Sequence, residues 1–228
     1  MKYIYHHLGL GDHIICNALV RELIKPDENY KMFVKQHNLT SVRFMYKDLK
    51  NLDFIVGDDK YVNDFILHNN IKNDDLIVAG FVRHNLSKEF DDSFYLQNNI
   101  SFNKRWISFK IERDLESEKK LFDKFDVVEN NYVFVHDDKD RNFNIDENFI
   151  INKTLKVVRP VIGYTDNLFD YCYLMEKSYE SHFIDSSFKL LFDSLKLRNE
   201  NIFFHINLLG GVKREITISH SILNFKMV

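Results

Sequence analysis

Short apolar runs alternate with amphipathic segments along most of the chain. The apolar runs are rich in β-branched and aromatic residues, which is typical of strands. The segments between them repeat apolar positions at the spacing of a helix. This alternation predicts an α/β fold with largely parallel sheets. The predicted strands are Met1–Tyr5, Tyr30–Val34, Leu52–Val56, Asp75–Phe81, Asn131–His136, Leu155–Pro160, Ser181–Ile184 and Asn201–Ile206.

Helices are predicted between these strands and in a charged, aromatic middle segment, residues 87–125, that shows no clear strand. We therefore expect two Rossmann-like halves, residues 1–112 and 113–228, with a helical segment between their sheets. The tail Ile216–Val228 favours neither element type. The predicted helices are Asp12–Ile24, Leu39–Leu49, Tyr61–His68, Asp91–Asn98, Phe102–Ile111, Leu115–Phe125, Leu168–Tyr179 and Phe188–Leu195.

The composition is that of a globular protein with a substantial core, since 45% of the 228 residues are hydrophobic. A net charge of -3 gives no support for a nucleic-acid partner. No apolar run approaches the roughly 20 residues of a membrane span, and the N-terminus lacks a signal-peptide pattern. Cys16 and Cys172 lie in separate apolar patterns and are expected to be buried thiols. These features predict a cytoplasmic protein and leave its oligomeric state open.

The turn Gly9-Leu10-Gly11-Asp12 lies where the first strand meets the first helix. Its glycines let a ligand approach the backbone, and the helix start attracts anions. Asp12 adds a carboxylate that suggests chemistry as well as binding, with His13 as an alternative base. Ile14 stands where a dinucleotide fingerprint has its third glycine, which disfavours a nicotinamide or flavin site. A purely structural turn with Asp12 as helix N-cap stays open.

A second turn, Asp185-Ser186-Ser187, follows a strand of the second half. Asp185 is suited to capping the next helix, and the hydroxyl and N–H groups of Ser186 and Ser187 are suited to holding a phosphate. Ordinary capping is the alternative. Ligands of open α/β sheets bind at the carboxyl ends of strands, so we expect both turns to face one cleft.

Three basic side chains lie at or just beyond the ends of strands of the second half and are candidates for binding phosphate. Arg141 and Arg159 could pair with it in bidentate fashion, and His136 could donate to phosphate or ribose. Surface ion pairs and side-chain packing explain all three equally well.

A metal site is disfavoured. His6 and His7 are adjacent in a strand and point to opposite faces, and His13 adds no ligand spacing. The run Asp137-Asp138-Lys139-Asp140 is better explained as a solvated turn.

Two segments resemble a known family. Gly11–Val20 is similar to the amino-terminal motif of heptosyltransferase-like glycosyltransferases of GT-B fold, and Asp185–Phe188 is similar to their Asp-Thr-Gly helix start. The resemblance implies that Asp12 activates an acceptor hydroxyl and that the second turn binds the donor's nucleotide diphosphate. It also implies transfer of sugar from a nucleotide-sugar donor to a saccharide acceptor in surface polysaccharide or glycan synthesis. An inverting transfer needs one base and positive charge or N–H dipoles for the leaving group, so it requires no metal ion if arginines and helix starts carry that charge. We expect inversion, and retention stays open. The nucleotide sugar is the co-substrate, with no further cofactor.

The chain departs from the family pattern in the second turn. Ser187 replaces a glycine, and Leu190 replaces a histidine. The donor cradle therefore differs, and the donor's identity does not carry over. Two other functions stay open. One is a non-catalytic Rossmann-like protein that binds nucleotide or sugar phosphate. The other is a partner-binding α/β protein in which neither Asp12 nor Ser186 faces a cavity.

Overall fold

The computed structural model describes residues 1–81, 91–138, 143–199, 201–205 and 221–228. The chain divides into two compact units, Met1–Glu112 and Arg113–Val228. Each unit contains a parallel sheet with helices, so the predicted α/β class is confirmed, and the layout is compatible with a Rossmann-like two-domain fold. The strands are β1 Lys2–His6, β2 Tyr30–Val34, β3 Leu52–Val56, β4 Leu76–Ala79, β5 Tyr132–His136, β6 Lys156–Val158, β7 Glu180–Phe183, β8 Asn201–Phe204 and β9 Lys226–Met227.

The sheet of the first unit has four parallel strands in the order β3-β2-β1-β4. β1 therefore lies inside the sheet, and the turn after it opens at the carboxyl edge between β2 and β4. Tyr5, Leu8, Phe33 and Val62 form an apolar cluster that fixes β1 and its turn against β2 and a helix. This packing places the Gly9–Asp12 turn on a rigid strand end.

The sheet of the second unit has five parallel strands in the order β6-β5-β7-β8-β9. β5 is buried along almost its whole length, which explains its unbroken apolar run. One face of β5 packs on Ile145 and Ile150, and Phe134 on its other face contacts the aromatic ring of Phe188. The Asp185–Ser187 turn follows directly after β7.

Most of the helices are shorter than the sequence pattern predicts, but the helix Asp59–His68 begins two residues earlier than predicted and the helix Ser187–Ser194 has the predicted length. The single helix predicted over Asp12–Ile24 is wrong, because the chain forms two helices separated at Cys16. The helix predicted from Leu168 begins as a 3-10 turn, Leu168–Tyr171. None of the described helices is long and apolar enough to cross a bilayer. The helices are α1 Leu10–Ile15, α2 Asn17–Leu23, α3 Leu39–Met45, α4 Asp59–His68, α5 Asp92–Leu96, α6 Lys104–Ile107, α7 Leu115–Asp123, α8 Cys172–Glu176 and α9 Ser187–Ser194.

Both cysteines are free and fully buried, Cys16 in the first unit and Cys172 in the second. The prediction of two buried thiols is confirmed. Burial raises the pKa of each thiol well above its usual value, so both are held in the neutral form.

Candidate functional site

Asp12 lies in the first turn of α1 and folds back over Gly9. Gly9 is the N-cap of this helix, and the Asp12 carboxylate accepts a hydrogen bond from the Gly9 N–H. This is the reciprocal half of a capping box, in which the third helical residue bonds the N-cap amide. The sequence interpretation of Asp12 as N-cap is therefore wrong by three positions.

The close contact explains why a glycine precedes the helix. A Cβ atom at Gly9 would lie 2.5 Å from Asp12 Oδ2, which would push the carboxylate away. Gly11 is half-buried within the same short helix. The Gly9 N–H already donates to the Asp12 carboxylate. An anionic ligand at this turn would therefore have to compete with the carboxylate for that N–H.

Burial raises the pKa of Asp12 from 3.8 to about 6. His7, the Gly9 amide and Lys35 oppose this rise, because each favours the carboxylate. The His7 ring is held in place by its Nε2–H, which donates to the Gly80 carbonyl oxygen at 2.9 Å. A carboxyl group with this pKa is well suited to exchange a proton near neutral pH.

The raised pKa of Asp12 predicts a pH-dependent cost to stability. The folded protein holds this proton more tightly than the unfolded chain, so the stabilisation is complete below about pH 4. It is lost as the pH rises through about 6, at a cost of ~3 kcal/mol. An Asp12→Asn chain should lack this loss. Denaturant unfolding of both chains from pH 4 to 7 checks it, and parallel stability curves would contradict it. Buried histidines are common to both chains and cancel.

His13, the alternative base, is fully buried beside His6. The two rings lie 4.4 Å apart in an edge-to-face arrangement, and neither ring is more than 1% exposed. Burial lowers the pKa of His13 well below its usual value and that of His6 to about 4, so both are neutral. A side chain sealed in the core does not reach a substrate hydroxyl, which favours Asp12. Within the described ranges, no three His, Cys, Asp or Glu side chains are arranged to hold a metal ion.

In the second unit, the predicted phosphate turn forms the start of α9. Ser186 is the N-cap, and its hydroxyl accepts a hydrogen bond from the Lys189 N–H at 3.4 Å. Ser187 is the first helical residue, and both serines are half-buried. The prediction of Asp185 as the cap is wrong by one residue, because this exposed side chain precedes the cap.

Removing the Ser186 hydroxyl should weaken the start of α9. The Ser186→Ala change leaves the Lys189 N–H without its acceptor, and we expect a loss of ~1 kcal/mol of local stability. Ser187→Ala is the matched control, since Ser187 does not cap. Hydrogen exchange at the Lys189 amide, measured by NMR, should accelerate about fivefold in the first variant only. Equal exchange in both variants would contradict the capping assignment.

The other residues predicted to bind phosphate are Arg159, His136 and Arg141, and the first two make different contacts in the structure. Arg159 donates from Nε to Asp137 Oδ2 at 3.1 Å and from Nη1 to Glu147 Oε1 at 3.2 Å. His136 stacks on Phe188 of α9, with ring centroids 4.1 Å apart, so the end of β5 adjoins the start of α9. Arg159 is thus already paired with two carboxylates, as in the ion-pair alternative. Arg141 lies outside the described residues.

Several polar residues near these turns are absent from the sequence-based site. In the first unit they are His7 and Lys35, which act on Asp12. In the second unit Glu180, His182 and His205 form a buried chain of hydrogen bonds. The alternation of Glu180 and His182 places them on one strand face, which is a signal that could have drawn attention to them.

The chain was compared with protein-family models, curated proteins and solved structures, and it matches none of them. Its class is therefore defined by its own fold, an α/β protein with two parallel sheets.

Proposed function

We propose that the protein is a glycosyltransferase of GT-B-like organisation. It would move a sugar from a nucleotide-sugar donor to a saccharide acceptor, with inversion, in the cytoplasmic synthesis of a surface polysaccharide or other glycan. The observation that carries the proposal is Asp12. This half-buried carboxyl group lies at the carboxyl end of an interior strand, and its pKa is about 6.

In the proposed reaction Asp12 is the general base. The acceptor hydroxyl gives its proton to the Asp12 carboxylate while its oxygen forms a bond to the anomeric carbon. The bond from that carbon to the donor phosphate breaks, and the nucleoside diphosphate leaves with the electron pair. In the second unit, the N–H groups at the start of α9, beside Ser186 and Ser187, are suited to the negative charge of a diphosphate. This scheme needs no metal ion.

Calorimetry with a panel of nucleoside diphosphates, followed by assays of sugar release from the corresponding nucleotide sugars, tests the proposal. We expect one nucleoside diphosphate to bind and its sugar conjugate to be hydrolysed slowly without acceptor and faster with a saccharide acceptor. A chain that binds no nucleoside diphosphate would overturn the proposal.

The alternative is a Rossmann-like binding protein for a nucleotide or sugar phosphate. The engagement of Arg159 by Asp137 and Glu147 favours it, since a phosphate would have to displace these carboxylates. The capping contact between Asp12 and Gly9 also gives the carboxylate a structural role. Binding of a nucleoside diphosphate without sugar release from any donor would favour this alternative. A purely partner-binding role is less favoured, because Asp12 and Ser186 are half-buried rather than sealed in the cores.

A further inference from the structure

Three side chains of the second unit form a continuous chain of hydrogen bonds. Glu180 Oε1 lies 2.5 Å from His182 Nε2, and His182 Nδ1 lies 2.8 Å from His205 Nε2. Glu180 and His182 are alternate residues of β7, and His205 directly follows β8. The parallel register, in which Phe183 pairs with Phe204, brings His205 to the same face as His182.

The surroundings hold this chain rigidly. Glu180 and His182 are fully buried, and His205 is 5% exposed. The Glu180 carboxylate also accepts the Ile151 N–H at 2.9 Å. The His182 ring stacks on Phe203 with an interplanar angle of 7°, and the His205 ring meets Phe149 edge-on. Burial lowers the pKa of both histidines, that of His205 to about 4, so both rings are neutral at pH 7.

The order of donors fixes the tautomer of each ring. Both Glu180 carboxylate oxygens accept the Ile151 N–H, so Glu180 Oε1 also acts as the acceptor toward His182, which donates from Nε2–H. The neutral His182 ring then has an unprotonated Nδ1, which accepts a hydrogen bond from His205 Nε2–H. His205 is therefore left with an unprotonated Nδ1, for which the described part of the chain provides no hydrogen-bond partner. The buried carboxylate thus selects a hydrogen-bond acceptor at the His205 end of this chain of hydrogen bonds.

His205 lies beside the proposed donor turn. Its backbone N–H donates to the Phe183 carbonyl at 2.8 Å, two residues before Asp185. We propose that His205 Nδ1 accepts a hydrogen bond from a ribose hydroxyl of the donor nucleotide, with Glu180 and His182 as positioning residues. This inference rests on the proposed function of the second unit and adds a residue and a ligand group to it.

The chemistry of the ligand distinguishes ribose from phosphate. At neutral pH the diphosphate oxygens of a nucleotide are acceptors and repel a lone pair, whereas a ribose hydroxyl can donate. The amides at the start of α9 suit the diphosphate, and the neutral His205 nitrogen suits the sugar next to it.

Long-range ¹H–¹⁵N NMR of the histidine rings tests the tautomers without any ligand. We expect His182 and His205 each to be protonated at Nε2 and unprotonated at Nδ1 at pH 7. Protonation of His205 at Nδ1 would overturn the inference and leave the proposed function untouched. On addition of the nucleoside diphosphate that binds, the His205 Nδ1 resonance should shift, and an unmoved resonance would also overturn the inference.

Binding measurements with variants test the contact itself. His205→Phe keeps a ring but loses the nitrogen, and we expect nucleoside diphosphate affinity to fall roughly tenfold while inorganic pyrophosphate affinity stays unchanged. His182→Gln can still donate to Glu180 and accept from His205, so His205 should stay protonated at Nε2 in this variant. His68→Phe, an exposed change in the first unit, is the control for the substitution type.

The outcomes separate the two proposals. If a nucleoside diphosphate binds equally to the wild type and to His205→Phe, the inference fails and the proposed function stands. If His205→Phe lost as much affinity for pyrophosphate as for the nucleoside diphosphate, His205 would contact the phosphates. That result would also overturn the proposed ribose contact. If the wild type binds no nucleoside diphosphate, both proposals fail.

Discussion

The Asp12→Asn chain is expected to transfer sugar about 10²–10⁴-fold more slowly than the wild type while keeping its fold. The amide oxygen of asparagine can still accept the Gly9 N–H bond, so the start of α1 is preserved. The amide cannot take a proton from an acceptor hydroxyl, so the general base is lost. Single-turnover product formation at saturating donor measures the effect on the chemical step.

A matched control separates this effect from a simple change of charge. Asp53→Asn also removes one carboxylate from the first unit, at an exposed position on β3, and should leave turnover unchanged. In the wild type the rate should fall as the pH drops below about 6, where Asp12 becomes protonated. Near-normal turnover of the Asp12→Asn chain would remove Asp12 from the mechanism.

Replacing Arg105 by alanine is expected to destabilise the first unit by about 3–5 kcal/mol. The Arg105 and Asp91 side chains form a fully buried ion pair, and the guanidinium carbon lies 4.3 Å from the centre of the Trp106 ring. The alanine variant leaves the Asp91 carboxylate buried without this counter-charge. Urea unfolding followed by the fluorescence of Trp106, the single tryptophan of the chain, reports on this unit.

The neighbouring Lys104 provides the comparison for the Arg105 variant. Lys104 pairs with Glu22 at 3.1 Å on the surface of the same unit. Such exposed pairs contribute little, so Lys104→Ala should cost less than 1 kcal/mol. If the two variants lost the same free energy of unfolding, burial of the Arg105–Asp91 pair would not determine its contribution to stability.

The strands were the part of the fold most accessible from sequence. β2 and β3 have the predicted bounds, because in each strand one charged residue, Lys31 or Asp53, interrupts an otherwise apolar run that is bounded by polar turns. The break between α1 and α2 was not predictable, because the apolar spacing continues through Cys16 while its backbone turns out of regular helix there. Periodicity reports which face is buried and not whether each hydrogen bond of the helix forms.

In the candidate site too, the sequence located local features and did not reveal contacts between separate strands. The Asp12 and Ser186 turns are local features, a strand end followed by a helix start, and the sequence locates both. The capping positions were missed, since they depend on where the first helical turn closes. The contact of His182 with His205 depends on the register between β7 and β8, which no local pattern contains. Polar networks assembled from separate strands therefore became visible only in the folded chain.

The two buried thiols give the protein a built-in reporter of its own opening. Each unit has one cysteine, and in the folded structure each thiol is buried and neutral. An alkylating reagent can therefore react with Cys16 or Cys172 only when the surrounding unit transiently opens. Mass spectrometry of the two labelled peptides over time would give the opening free energy of each unit separately, in one unmodified sample.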